Sequence, residues 1–208
     1  LIKKIISTGK PVIMSTGMAS ISELSESVSL LTEKYSDNFA LLKCTSTYPA
    51  NPENTNIRTI PHLRDLFHTE VGLSDHTMGL GVAVASVSLG AAMIEKHFTL
   101  SRDDGGVDSA FSLEPQELAN LVVESERAWQ ALGNVRYGPT KAEHKSLVFR
   151  RSIYVSSNIN EGDLFTTDNI RIIRPGDGAP PHLYEQLIGR KARRSYVAGT
   201  PLSLDQLL

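Results

Sequence analysis

The sequence lacks the features that identify several classes of protein. Its 208 residues include a single cysteine, Cys44, which excludes an internal disulfide and makes a reducing compartment, the cytoplasm, the expected location. A formal net charge of −2 gives no reason to expect nucleic acid or an acidic membrane as a partner. The longest apolar stretch, 78–94, contains serine and glycine and is bounded by charges, so it indicates a buried helix and strand and not a membrane span.

The composition is that of a globular chain, with 40% apolar and 21% charged residues. Residues 1–6 hold two lysines and no long apolar core, so no signal peptide is predicted. The chain starts with leucine inside a helix-like phrase, and we therefore expect a further amino-terminal part to precede it.

Short apolar runs alternate with helical segments over residues 1–133. The predicted strands are 12–14, 39–43, 71–73 and 93–94, and the predicted helices that follow them are 20–34, 56–67, 79–89 and 115–133. This alternation favours a parallel sheet with helices outside it. Since four strands do not close a barrel, the pattern predicts the C-terminal half of a (β/α)₈ TIM barrel. A flavodoxin-like open sheet is the alternative, although no glycine-rich phosphate fingerprint follows these strands.

Polar clusters follow each predicted strand, at the edge where barrels of this kind build their active sites. The clusters are Ser15-Thr16, 45–48, 74–76 and 95–97. A βαβ unit brings its strand ends to one edge of the sheet, so His76 and His97 should be neighbours in space. Each histidine has a carboxylate nearby, Asp75 next to His76 and Glu95 two residues before His97, and two imidazoles with carboxylates suit a metal site. Two unrelated polar loop residues are an equally weighted alternative at this point.

The remainder of the chain divides into three parts. Residues 101–109 are irregular, and Asp108 there is either a substrate contact or part of a surface turn. The helix 115–133 carries Trp129, interpreted as core together with Leu121, Val122 and Leu132. Residues 134–149 lack apolar periodicity and predict a linker, and 150–208 predict a small β-rich second domain.

Two basic features of that second domain stay open. Arg174 precedes a Pro-Gly-Asp-Gly loop and is either a turn residue or a ligand of an anion or amide. The basic run 190–194 is most simply a solvated surface. Within the same domain, 166–168 predict the cap of a short helix, 183–188 a helix, and 192–196 and 201–203 short strands.

Five motifs, in order along the chain, resemble those of the sialic acid synthase family, the phosphoenolpyruvate-dependent synthases of nonulosonic acids. They are 15–18 (STGM), 44–49 (CTSTYP), 72–77 (GLSDHT), 95–98 (EKHF) and 108–115 (DSAFSLEP). Residues 150–208, with 160–163 (NEGD), 174–178 (RPGDG) and 188–192 (IGRKA), resemble the antifreeze-like (SAF) domain, a β-clip fold. Within the family, 43–46, 108–112 and 149–152 are most similar to pseudaminic acid synthases.

The resemblance implies a role for nine residues of this sequence. His76 and His97 would hold a divalent metal, Mn²⁺ or Mg²⁺. Ser15, Ser46 and Ser74 would bind phosphoenolpyruvate. Tyr48, Glu95 and Asp108 would form the catalytic set that positions an open-chain, N-acetylated amino sugar. In the domain-swapped homodimer that the resemblance implies, Arg174 would reach the acetamido group in the partner's site.

The implied reaction joins phosphoenolpyruvate to 2,4-diacetamido-2,4,6-trideoxy-altrose, giving pseudaminic acid and phosphate by C–O cleavage. N-acetylneuraminate or legionaminic acid synthesis is the first alternative. Another is a phosphoenolpyruvate-dependent synthase of 2-keto-3-deoxy sugar acids, and a third is a non-catalytic, sugar-binding protein. Because the family also uses lysines and a glutamate from the first half of its barrel, we expect the 208 residues alone to be inactive and poorly folded.

Overall fold

The fold is taken from a computed structural model, which describes residues 1–35 and 38–203. The chain divides into two compact units, Leu1–Asn134 and Val135–Leu208. Within the described residues the helices are α1 (Ile2–Ile6), α2 (Ile21–Tyr35), α3 (Thr59–Phe67), α4 (Gly81–Ser88), α5 (Pro115–Leu132) and α6 (Tyr184–Leu187). The strands are β1 (Val12–Ser15), β2 (Phe39–Cys44), β3 (Glu70–Asp75), β4 (Ile94–Lys96), β5 (Ser152–Val155) and β6 (Ile170–Ile173).

The first unit is built on a parallel sheet with the strand order β1-β2-β3-β4, as far as the described residues extend. Helices α2, α3 and α4 connect successive strands, and such crossovers place the carboxyl ends of all four strands at one edge. The predicted α/β class with a parallel sheet is confirmed. The four strands described in this first unit form an open sheet and not a closed barrel.

The core of the first unit lies between one face of the sheet and helices α2 and α3. Its buried apolar members are Val12, Leu24, Val28, Leu31, Phe39, Leu41, Ile60, Leu63, Val71 and Leu73. Helix α2 begins at the predicted capping box: the Ser20 N–H donates to Glu23 Oε2 (2.7 Å), and the Glu23 N–H donates to Ser20 Oγ (3.4 Å). The core packing therefore holds α2 and α3 against one face of the sheet. The opposite face of the strands is left for other contacts.

Two predictions for the first unit are wrong in detail. Helix α3 begins at Thr59 and not at Asn56, because Asn56 has a left-handed φ of 46° that cannot continue into a helix. Trp129 is 64% exposed and not core, and Val122 and Leu132 are exposed too, whereas Leu121 is buried as predicted. Helix α5 is about 27 Å long and its neighbour α4 only about 12 Å, so α4 cannot cover the carboxyl-terminal half of α5.

The second unit has its own core around the antiparallel pair β5-β6. Residues 134–149 are the predicted linker. All of them except Asn134 group with this unit, and they include the 3₁₀ helix His144–Phe149. The helix predicted after Thr166 is a turn, because the Thr166 N–H donates to Asn169 Oδ1 (2.7 Å) and the chain then enters β6. The strands predicted over 192–196 and 201–203 are reduced to single bridges at Tyr196 and Pro201.

Candidate functional site

The carboxyl ends of β3 and β4 carry a pair of side chains on one face of the sheet. Ser74 and Glu95 are register partners, and successive strand residues point to opposite faces, so both lie on the same face. The Ser74 hydroxyl donates to Glu95 Oε1 over 2.7 Å. This bond fixes the orientation of the Glu95 carboxylate and engages the only proton of the Ser74 hydroxyl.

His76 follows β3 and is held from two sides. Its ring nitrogen Nδ1 is 2.8 Å from the carbonyl oxygen of Thr45, which identifies Nδ1 as the protonated nitrogen. Its own carbonyl oxygen accepts the N–H of Ala50 over 2.8 Å. A neutral imidazole that donates through Nδ1 keeps the lone pair of Nε2 free, which is the arrangement that a metal ligand requires.

His97 follows β4 and lies beside His76, as the βαβ argument predicts. The two ring centroids are 5.2 Å apart, with the planes inclined by 74°. The N–H of Leu113 donates to the carbonyl oxygen of His97 over 2.8 Å, and Asp108 Oδ2 lies 3.5 Å from His97 Nδ1. Asp108 is therefore part of this edge, and it is placed to orient the His97 ring.

Two aromatic rings border the histidines. The Tyr48 ring lies 4.2 Å from the His76 ring and 5.8 Å from the His97 ring, measured between centroids. The Phe111 ring lies 5.0 Å from that of His97 and 5.9 Å from that of Tyr48. Phe111 was missed as a site residue, although it stands in the quoted motif three residues after Asp108.

The loops after β1 and β2 contact each other through Gly17 and Ser46. A Cβ added at Gly17 would lie 2.1 Å from Ser46 Oγ and 3.2 Å from Cys44 Sγ, so the Ser46 hydroxyl occupies the space of a missing side chain. Ser15, the last residue of β1, is exposed at the same edge of the sheet. The structure thus places Ser15, Ser46 and Ser74 at the ends of three adjacent strands.

Asp75 does not face the histidines. The prediction that Asp75 would place a carboxylate beside the His76 ring is therefore wrong. It lies on the other face of β3 and forms an ion pair with Lys96, Oδ2 to Nζ, at 3.0 Å. The two side chains are 0% and 2% exposed. Strand alternation in 74–76 and 95–97 could have revealed this arrangement, because the middle residue of each triplet must point away from its neighbours.

Lys43, at the end of β2, supports the backbone behind His76. Its ammonium donates to the Cys44 carbonyl (2.7 Å) and to Thr45 Oγ1 (3.3 Å). Burial lowers the pKa of Lys43. Since Thr45 provides the carbonyl that orients His76, Lys43 belongs to the structure that holds the imidazole.

The residues present suit a divalent metal in part. Among residues 1–35 and 38–203, no group of three or more His, Cys, Asp and Glu side chains is arranged to hold a metal ion. Two neighbouring imidazoles, each with an oxygen atom at or near Nδ1, nevertheless provide part of a ligand set that water and a substrate oxygen would have to complete. Nitrogen donors suit Mn²⁺ better than Mg²⁺, which prefers oxygen.

Arg174 lies in the second unit, where its loop is firmly held. The buried Ser152 hydroxyl donates to the Pro175 carbonyl (2.7 Å) and accepts the Gly178 N–H (2.9 Å). The Tyr154 hydroxyl lies 3.3 Å from Asp177 Oδ2, and burial together with this carboxylate raises the pKa of Tyr154. The Arg174 side chain itself is exposed.

Concavity alone would have pointed to a different place. A cavity of about 520 Å³, lined by Arg64, His68 and Glu70 among others, lies at the amino-terminal ends of β2 and β3. This is the edge opposite to that of His76 and His97. The candidate site residues are therefore located by their chemistry and by strand direction, and not by concavity.

Comparison with known proteins identifies the family of this chain. Residues 1–137 match the NeuB family and residues 150–208 match the SAF domain. The chain belongs to the sialic acid synthase family and carries its SAF domain. This membership defines the class of protein to which the chain belongs.

Three named relatives illustrate that class. The chain is 39% identical over 193 residues to a pseudaminic acid synthase and 37% identical over 198 residues to an N,N'-diacetyllegionaminic acid synthase, both from Campylobacter jejuni. It is 34% identical over 199 residues to the human N-acetylneuraminate-9-phosphate synthase. These alignments include 93%, 94% and 91% of this chain but only 56%, 59% and 54% of the relatives.

Two solved structures are similar to this chain in fold and sequence. An N-acetylneuraminic acid synthetase from Leptospira borgpetersenii matches with a TM-score of 0.64 and 37% identity over 70% of this chain and 51% of its own. The Bacillus subtilis spore coat polysaccharide biosynthesis protein SpsE matches with a TM-score of 0.60 and 31% identity, over 100% of this chain and 64% of its own. A membrane span requires a long and apolar helix, and none of the helices of the described residues is long and apolar enough to cross a membrane.

Proposed function

We propose that this chain forms the carboxyl-terminal part of a phosphoenolpyruvate-dependent nonulosonic acid synthase that makes pseudaminic acid. The observation that carries the proposal is the convergence of His76, His97, Tyr48, Asp108 and the Ser74–Glu95 pair at one edge of a parallel sheet. The names of the relatives support the same chemistry. A complete (β/α)₈ barrel, a swapped homodimer and a cytoplasmic location stay predictions that go with this proposal.

The reaction forms one carbon–carbon bond and breaks one carbon–oxygen bond. Carbon 3 of phosphoenolpyruvate attacks the aldehyde carbon of the open-chain sugar, whose oxygen becomes a hydroxyl. Positive charge then develops at carbon 2, water adds there, and phosphate leaves with its bridging oxygen to give the 2-keto acid. A divalent metal between His76 and His97 would supply Lewis acidity toward the aldehyde oxygen.

The residues of this chain would act as follows. The Glu95 carboxylate, oriented by Ser74, would stabilise charge at carbon 2 electrostatically. Asp108 and Tyr48 would hold sugar hydroxyls beside the imidazoles. Ser15 and Ser46 would donate to the phosphate. Ser74 could join them only by exchanging its bond to Glu95, because its one proton is already engaged.

Phosphate release by the full-length protein tests the proposal. Phosphoenolpyruvate and Mn²⁺ would be supplied with 2,4-diacetamido-2,4,6-trideoxy-altrose, with N-acetylmannosamine, or with the corresponding precursor of legionaminic acid. We expect release with the altrose, and its loss in His76→Ala. Release only with another sugar would reject the proposed acceptor but keep the enzyme class.

Legionaminic acid synthesis is the second candidate function. The 37% identity to a synthase of that acid is close to the 39% identity to a pseudaminic acid synthase, so relatedness by itself does not select the acceptor. No release with any of the three sugars, from protein that is folded, would favour the non-catalytic, sugar-binding alternative.

A further inference from the structure

Two cross-strand links join the ends of β3 and β4, one on each face. On the face that carries the proposed site, Ser74 is hydrogen-bonded to Glu95. On the opposite face, Asp75 is paired with Lys96, and these two residues are also register partners. The next residue along each strand is a histidine, so the ion pair lies one residue before both imidazoles.

The Lys96 ammonium and the Asp75 carboxylate are hydrogen-bonded to each other and to the adjacent backbone. The Lys96 ammonium donates to Asp75 Oδ2 (3.0 Å), the Thr77 carbonyl (2.7 Å) and the Gly79 carbonyl (3.1 Å), which accounts for all three of its protons. Asp75 Oδ1 accepts the Thr77 N–H over 2.9 Å. Lys96 therefore holds its own strand, the end of β3 and the segment immediately after His76 in one arrangement.

Such a pair is poorly explained as a source of stability. Removing two charges from water costs much of what their attraction returns, and well-packed apolar residues often replace buried ion pairs without loss. What a buried pair does supply is direction, since only one geometry satisfies both charges. Here that geometry fixes the separation and register of the two histidine-bearing strand ends.

We propose that Asp75 and Lys96 are positioning residues that set the spacing of His76 and His97 for joint binding of one divalent metal. The inference rests on the proposed function, because it assumes that these imidazoles bind the metal. Both residues act through the backbone, since their charged atoms engage each other and the segment 77–79. Neither is expected to touch substrate.

Metal affinity, and not turnover, is the appropriate measurement. Full-length protein would be titrated with Mn²⁺ while electron paramagnetic resonance records the free ion. We expect Lys96→Met and Asp75→Asn each to weaken Mn²⁺ binding by about 10- to 100-fold, the usual cost of losing support behind a metal ligand. Each single variant leaves one buried charge without its partner and can therefore be destabilised. The double variant Asp75→Asn/Lys96→Met removes both charges at once, keeps an oxygen for the Thr77 N–H, and should weaken Mn²⁺ binding to the same extent.

Two controls separate the possible explanations. Leu63 is a residue of α3 that packs in the core of the first unit, and it is not part of the site with the histidines. The Leu63→Ala variant should therefore be less stable but should bind Mn²⁺ like the unaltered protein. Wild-type affinity in folded Lys96→Met and Asp75→Asn, with loss of binding in His76→Ala, would overturn the positioning role and leave the metal site standing. Undiminished binding in His76→Ala would instead reject the metal site itself, and the positioning role with it.

Discussion

The Tyr48 ring packs on the His76 ring with centroids 4.2 Å apart and planes inclined by 39°. Tyr48 is 53% exposed, so one part of its surface packs on the imidazole and about half remains accessible to solvent. Under the proposed function the side chain would have two roles that substitutions can separate. One is the packing contact with His76, and the other would be a hydrogen bond from the hydroxyl to the sugar.

Tyr48→Phe should leave Mn²⁺ affinity unchanged and raise the KM for the sugar by about 2- to 10-fold, the effect of losing one hydrogen bond of about 0.5–1.5 kcal/mol. Tyr48→Ala should also weaken Mn²⁺ binding, because an aromatic contact of about 0.5–1.5 kcal/mol is lost. Metal titration and steady-state kinetics on the same preparations would measure both effects. Equal Mn²⁺ affinities in the two variants would disprove the packing role.

Ser74→Ala should lower kcat by about 10- to 100-fold, because a hydrogen bond to a charged carboxylate contributes about 1.5–3 kcal/mol. The loss would come from a Glu95 side chain that is no longer oriented. Ser88→Ala is the matched control, since that hydroxyl donates to Ala85 within α4 and does not contact the site. A kcat that stays unchanged in Ser74→Ala would show that Glu95 needs no such support.

Gly17→Ala should destabilise the first unit by about 1–3 kcal/mol, because the new methyl group would overlap Ser46 Oγ. The double variant Gly17→Ala/Ser46→Gly should recover most of that loss. Gly81→Ala, where a Cβ meets nothing within 4 Å, should be neutral or mildly stabilising. Urea unfolding of the three variants measures these differences, and a double variant no better than Gly17→Ala would disprove the steric explanation.

Ser152→Ala should destabilise the second unit by about 1–3 kcal/mol, because the Gly178 N–H and the Pro175 carbonyl lose a buried partner. Ser156→Ala removes an exposed hydroxyl that donates to the Asp168 carbonyl and should cost about 0.5 kcal/mol or less. Thermal unfolding followed by circular dichroism would compare the two. Equal losses would mean that burial of Ser152 does not matter.

Glu23→Gln tests the capping box through pH. The Ser20 hydroxyl and then its N–H lower the pKa of Glu23 from its ordinary value of 4.5, so the ionised carboxylate stabilises the folded state above that pH. The stabilisation is lost as pH falls through the lowered pKa of the folded protein. The difference in Tm between the unaltered protein and the variant should therefore be largest above pH 4.5 and should shrink in more acidic solution.

Glu26→Gln serves as the control for that experiment. Glu26 is exposed on α2 beyond the first turn, where the backbone N–H groups are already bonded within the helix. It should show a smaller and less pH-dependent change. A Tm difference for Glu23→Gln that is constant between pH 3 and pH 7 would contradict the assignment of the cap to the ionised carboxylate.

Local sequence rules predicted the helices and strands of the first unit well. The Ser20–Glu23 box and Pro115 at the start of α5 each act within one turn, so their effect can be read from neighbouring residues. The prediction that Trp129 lies in the core was wrong for the opposite reason. Whether an apolar helix residue is buried depends on the length and position of the neighbouring helix, which the residues around Trp129 do not encode.

The sequence by itself determined the alternation of strands and helices, the polar clusters after the strands, and the motifs that identify the family. It also determined that His76 and His97 would meet, because parallel crossovers bring strand ends to one edge. Only the tertiary structure decided which neighbours the clusters would have. Asp75 turns to Lys96 and away from the histidines, and Phe111 returns to pack on His97, because strand register and the path of the 98–113 segment set these contacts.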